Sequence, residues 1–329
     1  MTRIDAVCAV CGSSAAAPLF HAKDPDGFSP EPFRILRCAS CGTAYVSPRP
    51  PNYELGAYYV RGYYGRPGED SGALGRLFGR LLMAERAAKA ARGLAPGRVL
   101  DVGCGDGTFL SAMRRRGWEC WGVEVSEDGA SRAAARPGLT IHDQPLEKLT
   151  LPPRSFDLVT FWHSLEHVPD PAELIARAAD LVKPGGRLLV AFPNGGSWEM
   201  GLFGARWFHL DPPRHLHYFT PASMSRLLER AGLKVERVSH GSFEYDLFGF
   251  AQSALNLVTA RPNYFYRRAK GTLAGGAALD ALATAAFAVP AALLSLPFAA
   301  AAAAFGRSGC VDVSATVRLP AMSVREDNK

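Results

Sequence analysis

No run of five or more like charges occurs in this 329-residue chain, so its net charge of +6 is spread thinly. A mildly basic surface and an anionic partner are both compatible with that excess. Charged residues are few, at 21% against 48% hydrophobic ones, which excludes an intrinsically disordered chain. Met1-Thr2-Arg3-Ile4-Asp5 lack the apolar core of a signal peptide, and a cytoplasmic location is expected. Of the seven cysteines, four stand in paired C-x-x-C spacing, which suits a reducing compartment and not a disulfide scaffold. The length allows one large α/β domain with appendages, or two modest domains.

What is present begins with alternation. Short apolar runs at Val99–Val102, Glu119–Val123, Leu139–Ile141, Leu158–Phe161 and Leu188–Phe192 alternate with helical stretches. This pattern predicts βαβ units, hence a parallel sheet wrapped by helices. A helix is expected from Ala73 to Arg92, stopped by Gly93 and the Pro96-Gly97 turn, and another over Pro221–Ala231. A strand near Leu233–Val238 follows. Val311–Leu319 alternates apolar and polar residues, as an antiparallel or edge strand does.

Leu100-Asp101-Val102-Gly103-Cys104-Gly105-Asp106-Gly107 lies directly after a strand and opens a helix. Glycines there let the backbone turn sharply and let a ligand lie against the main chain. A lone G-x-G-x-G is shared by dinucleotide folds and plain tight turns. Asp101 before the first glycine and Glu124 at the end of the next strand sharpen it, since a carboxylate there can accept both ribose hydroxyls.

With these residues the chain resembles the class I S-adenosylmethionine-dependent methyltransferases over roughly residues 98–240. Gly122–Glu124, Ser155-Phe156-Asp157, Leu165-Glu166-His167-Val168-Pro169-Asp170-Pro171 and Leu181-Val182-Lys183-Pro184-Gly185-Gly186 agree in order. The resemblance implies an α/β fold: a Rossmann-like seven-stranded sheet with helices on both faces. It places the cosubstrate's methionine end at Asp101, Gly103 and Gly105, and its ribose at Glu124. His163, just after the fourth strand, is assigned to the cosubstrate as well. The family often has an acid after the third strand for the adenine amino group. Counting back from Phe156-Asp157 puts that slot near Pro145 or Leu146, with Asp143 displaced upstream.

Cys8-Ala-Val-Cys11-Gly and Cys38-Ala-Ser-Cys41-Gly repeat one pattern. Two such knuckles complete a tetrahedral four-thiolate site, which implies structural zinc. Cys104, Cys120 and Cys310 sit in apolar strand contexts and are expected to fill the core. A ribbon before this kind of domain is similar to the arrangement of deoxysugar C-methyltransferases, a likeness of architecture and not of substrate. Behind it lie Tyr45, Tyr53, Tyr58, Tyr59, Tyr63 and Tyr64, six of the ten tyrosines, which are read as a lid over the substrate. The expected division is a zinc ribbon (1–42), a Tyr-rich connector and helix (43–97), the methyltransferase domain (98–241 and 307–320) and a helical apolar insertion (242–306).

Ligands bind beyond the carboxyl ends of the parallel strands in this architecture. The N-P-P-Y or D-P-P-Y of base-modifying N-methyltransferases is absent after the fourth strand, and Asp211-Pro212-Pro213 follows the fifth strand instead. A nucleic-acid acceptor is therefore not expected. The L-E-H-V-P-D-P run looks like that of quinone-biosynthesis O-methyltransferases, which implies a small-molecule or lipid-linked acceptor, methylated at oxygen ahead of carbon. Trp207-Phe208-His209-Leu210-Asp211-Pro212-Pro213-Arg214-His215-Leu216-His217-Tyr218-Phe219 concentrates histidines and aromatics as a site lining would. Histidine suits general-base work near neutral pH. The order of candidates is His215, His217, His167, the last being equally a packing residue. Rival readings are an RNA methyltransferase and a non-catalytic cosubstrate-binding scaffold. Nothing in the sequence specifies an oligomeric state.

From Ala281 to Gly306 no residue is charged, long enough on paper to span a bilayer. Tyr264-Phe265-Tyr266-Arg267-Arg268-Ala269-Lys270 upstream is the aromatic-basic mix of a membrane interface. If the last strand rejoins the sheet, a single crossing is excluded. A hairpin bent near Pro290, interfacial helices, or a soluble lid or dimer contact remain. Peripheral contact at the cytoplasmic face of a membrane is one expectation.

Overall fold

The computed structural model describes residues 2–59, 73–273 and 277–317. Among these residues, two sheets organise the chain. The first strands are β1 (Ala16–Ala22), β2 (Phe33–Cys38) and β3 (Ala44–Val46), followed by a short helix α1 (Asn52–Leu55) and α2 (Ala73–Ala90). Then come β4 (Arg98–Val102), α3 (Thr108–Arg114), β5 (Glu119–Val123), α4 (Glu127–Ala134), β6 (Leu139–His142), β7 (Phe156–Trp162), α5 (Pro171–Leu181) and β8 (Val182–Pro193). The rest is α6 (Trp198–Phe203), β9 (His217–Tyr218), α7 (Pro221–Arg230), β10 (Leu233–His240), α8 (Phe243–Asn256), α9 (Tyr264–Ala269), α10 (Ala278–Ala304) and β11 (Cys310–Val317).

The larger sheet has seven strands in the order β10-β11-β8-β7-β4-β5-β6. β4, β5, β6, β7 and β8 are mutually parallel, and β11 runs antiparallel to both β8 and β10. Apolar residues fill both faces, which is why the central strands read as continuous apolar runs. Leu100, Val159 and Leu188 face a core with Leu174, Ile175 and Leu227 of α5 and α7. Their neighbours Val99, Leu158 and Leu189 face a second core with Phe109 and Met113 of α3 and Ala87 and Ala90 of α2. Helix starts follow local chemistry: Asp170 caps α5 ahead of Pro171, and Thr220 and Ser223 form a capping box on α7.

The smaller antiparallel sheet runs β1-β2-β3-β9. It extends past the cysteine segment, because β3 pairs with β9 through Ala44–Tyr218 and Tyr45–His217. A third core joins Phe33, Ile35 and Val46 of this sheet to Trp207, Tyr218 and Phe250. Beside it, fully buried Arg214 meets Asp24 at 3.2 Å, Asp26 at 3.1 Å and also Asp211, while Arg267 meets Asp26 at 3.2 Å. Such a buried guanidinium holds its place only with its charge compensated. It fastens the first sheet, the 207–219 loop and the insertion together.

Cys310 pairs with Pro193, the last residue of β8, and His240 with Val311. The segment between β10 and β11 therefore leaves and returns beyond the carboxyl ends of the parallel strands. α10 runs unbroken through Pro290 and Pro297, so the hairpin bent near Pro290 does not form.

Candidate functional site

β4 delivers Asp101 to the end of the sheet, 2% exposed, where it accepts a hydrogen bond from Thr160 Oγ1 at 2.7 Å. Burial pushes its carboxyl up to about 7, against the lowering effect of Thr160 and the Arg86 charge. The turn that follows is held by Gly103 and Cys104 N–H groups, both donating to Val123 O at 2.8 and 3.0 Å. Gly103 has φ +80°, and a Cβ there would stand 2.4 Å from Ser164 Cβ. Gly105, at φ +54°, faces open space with no atom within 4 Å of a Cβ position. Main chain is thus available to a ligand at Gly105. Glu124, buried at the end of β5, accepts Gly105 N–H at 2.9 Å and Ser126 N–H at 2.8 Å. An open glycine turn between two buried carboxylates fits an S-adenosylmethionine molecule.

Asp143 needs a correction of register. β6 ends at His142, so Asp143 is the first residue past the third strand and not displaced upstream of the slot. It is exposed. A helical turn over Leu146–Lys148 takes up chain between Asp143 and β7, which sets the acid farther from Phe156-Asp157 than an extended connection would.

Past β7 the chain turns at His163, whose φ is +52°. Its Nδ1 lies 3.6 Å from Glu166 Oε1 and its ring centroid 4.1 Å from that of Tyr245 on α8. His163 therefore faces the acid and the insertion. Glu166 is fully buried, and neither carboxylate oxygen has a hydrogen-bond partner. Although burial raises it, the neighbouring His163, His215 and His167 hold its carboxyl down at about 2. Glu166, His167 and His215 each bring a ligand atom within 4.8 Å of the others, a spacing that could hold a cation. The rings of His167 and His215 are 4.6 Å apart. His215 Nδ1 lies 2.9 Å from the His209 carbonyl, and His167 Nδ1 3.0 Å from the Arg214 carbonyl. A carbonyl only accepts, so both Nδ1 atoms donate to it, and any proton exchange falls to Nε2. Burial and the adjacent His215 push His167 down to about 4.

His217 does not join this group. It sits in β9 with Nε2 donating to Val168 O at 3.1 Å and its ring against Phe219. Most of the 207–219 loop is likewise core: Trp207, Leu210, Arg214, Leu216, Tyr218 and Phe219 are buried. Its aromatics fill the space between the two sheets, which explains their density without a site. Of the tyrosines, Tyr45 and Tyr58 are buried and Tyr53 is exposed, whereas Tyr59 places its hydroxyl 2.9 Å from His167 Nδ1. Tyr63 and Tyr64 lie outside the described residues. Sequence reasoning passed over Glu166 and Arg86. Arg86 of α2 stacks over Trp162 and pairs with Glu244 at 2.6 Å, between the glycine turn and the insertion. An arginine in a helical stretch carries no local signal for that.

The four paired cysteines converge. Cys8 and Cys41 sulfurs are 3.4 Å apart, Cys11 and Cys38 sulfurs 3.5 Å, and all four fall within 4.8 Å. Gly12 and Gly42, at φ +73° and +77°, donate N–H to the Cys8 and Cys38 carbonyls, closing each knuckle. Four sulfurs at that spacing fit tetrahedral zinc. Cys104, Cys120 and Cys310 are buried as unpaired thiols.

Comparison with known proteins agrees with this geometry. A sequence profile described as a methyltransferase domain matches residues 75–238. The chain is 35% identical to a ubiquinone biosynthesis O-methyltransferase of Aeromonas salmonicida (strain A449), over 45% of this chain and 67% of that protein. It is 34% identical to one of Idiomarina loihiensis, over 43% of this chain and 63% of the relative. The match thus spans about two thirds of these relatives, or slightly less. A solved S-adenosylmethionine dependent methyltransferase from Mesorhizobium loti is 22% identical with a TM-score of 0.44, covering 71% of this chain and 97% of the other. With its glycine turn, its strand order, the domain profile and the two O-methyltransferase relatives taken together, the chain belongs to the class I S-adenosylmethionine-dependent methyltransferase family.

Proposed function

We propose that this methyltransferase transfers a methyl group to a hydroxyl oxygen of a small-molecule or lipid-linked acceptor, with His215 as the base. The O-methyltransferase relatives support oxygen as the target. The observation that carries the base is the way His215 is held: its Nδ1–H is spent on the His209 carbonyl, which leaves Nε2 to take a proton, in a ring clustered with buried Glu166 and with His167. S-adenosylmethionine, when bound, supplies an activated methyl group. The chain's own residues then align the acceptor, take one proton and exclude water. Asp101, Gly103, Gly105 and Glu124 would hold the cosubstrate, with Asp143 reaching the adenine. Glu166 would stabilise the imidazolium that forms on His215, and His167 would pack the ring in place. His163, expected beside the cosubstrate, would with Tyr245 border the acceptor instead, since its ring lies against Tyr245 and near Glu166. The four knuckle cysteines would hold one structural zinc, and the reduced cysteines suit the cytoplasm.

Mass spectrometry of metabolites and lipids from cells with and without the protein should show an acceptor gaining one O-methyl group. On that acceptor, His215→Ala should lower turnover ~10²–10⁴-fold with cosubstrate affinity unchanged, as for other lost acid–base groups. A methyl group found on carbon or on RNA would overturn the assignment. Near-normal turnover in His215→Ala would move the base to His167, and binding without any turnover would favour the scaffold.

A further inference from the structure

α10 is built inside out. Its 27 residues would extend about 40 Å at a helix's usual rise. The side chains it buries are Asp280, Thr284, Ala291, Ser295 and Ala302, all small or polar. At about 100° per residue these fall within roughly a sixth of the circumference. Leu279, Leu282, Val289, Leu293, Leu294 and Leu296 point outward, from 53% to 82% exposed, and fan across nearly half of it. A surface helix of a water-soluble protein shows the reverse arrangement. An exposed apolar face of this kind marks an interaction surface.

We infer that α10 lies in the interfacial layer of an anionic bilayer with this face immersed. The inference rests on the proposed acceptor site, because it would hold the mouth of that site at the membrane surface. A partner helix would cover a single stripe, whereas the exposed side chains spread too widely for one seam, and acyl chains surround such a surface without regard to register. Charge agrees. Across residues 241–309 the acids are engaged within the protein: Glu244 pairs with Arg86, Asp246 accepts the Ser242 and Cys310 N–H groups, and Asp280 accepts that of Ala260. Arg268 and Arg307 remain exposed. Each stands near an aromatic that is itself exposed, Phe265 at 40% and Phe305 at 72%. Trp198 joins the second of these, its ring 5.4 Å from that of Phe305. Aromatic rings beside cations are the anchors expected at a headgroup boundary. Arg267 is not one of them, being engaged with Asp26. A single crossing is excluded, because the flanking strands pair with each other at His240 and Val311. α8, on which α10 packs, carries the Tyr245 that meets His163. An acceptor with an apolar tail could therefore enter from the lipid side.

Full-length protein should float with vesicles of phosphatidylcholine and phosphatidylglycerol, and float less with phosphatidylcholine alone or in high salt. A triple variant, Leu282→Asn, Leu293→Asn and Leu296→Asn, changes only exposed side chains. It should lose at least tenfold in vesicle affinity while keeping cosubstrate affinity. Full-length protein that stays at the bottom of the gradient at low salt overturns the inference. So does a dimer in sedimentation analysis that the triple variant dissociates while vesicle binding is absent, since α10 would then join two copies. Vesicle flotation needs neither acceptor nor turnover, so failure here is separable from failure of the proposed reaction.

Discussion

Both oxygens of Glu124 are engaged, one with the Gly105 N–H and one with the Ser126 N–H. The carboxylate thus clamps the glycine turn while standing where a ribose would lie. Glu124→Ala should weaken S-adenosylmethionine binding by ~1–3 kcal/mol, the cost of leaving polar groups unpaired. Calorimetry giving an unchanged dissociation constant would remove Glu124 from the site. Its position was legible because a strand end next to a glycine turn is a local pattern. Glu166 was not legible. It is one letter from His167, and only the helical turn over Leu165–His167 shows which of the two is swallowed by the core.

At the scale of elements, the cysteine knuckles and the 207–219 loop are joined by β9, a strand of two residues. No periodicity exists in so short a strand, and its pairing with β3 spans the whole chain between them. Arg37 adds a second tie, donating to Gly195 O at 3.0 Å. Metal binding and local folding are coupled in sites of this kind. Elemental analysis should find one zinc per chain, and Cys38→Ser should lose it. Because β9 begins two residues after His215, that variant should also turn over more slowly while binding cosubstrate as before. Protein purified without chelator and lacking zinc would count against the ribbon. The knuckles themselves were readable, since two C-x-x-C-G repeats need no partner to be recognised; what they brace was not.

At the scale of the whole molecule, stability depends on keeping histidines neutral inside. Burial, with the charges of His163 and His215, pushes His209 down to about 3. Its folded pKa lies below the unfolded value near 6.5, so between the two the unfolded chain binds more protons. Its contribution is present above pH ~6.5 and is lost as pH falls through the folded value. Glu199 acts with the opposite sign: burial raises it to about 8, so its contribution fades as pH rises toward that value. The comparison is therefore made between variants. The loss of unfolding free energy from pH 7 to 5 should be ~1–2 kcal/mol smaller in His209→Gln than in the parent. Equal losses in denaturant titrations would show that His209 does not stay neutral in the fold.

By itself the sequence determined the parallel sheet, the glycine turn with Asp101 and Glu124, the cysteine quartet and the uncharged stretch before the last strand. Each is a local pattern: an apolar run, a turn that needs glycine, a paired spacing, an absence of charge. Only the tertiary structure decided which side chains meet. It placed His217 in β9 with its ring hydrogen-bonded to the Val168 carbonyl, turned most of the 207–219 aromatics into core, and put Asp143 at the strand end. It also gathered Glu166, His167 and His215 from two separate segments and turned the leucines of α10 outward. The physical reason is the same in each case. Burial and pairing are set by what packs against a residue, and those partners come from chain positions that no local period can name.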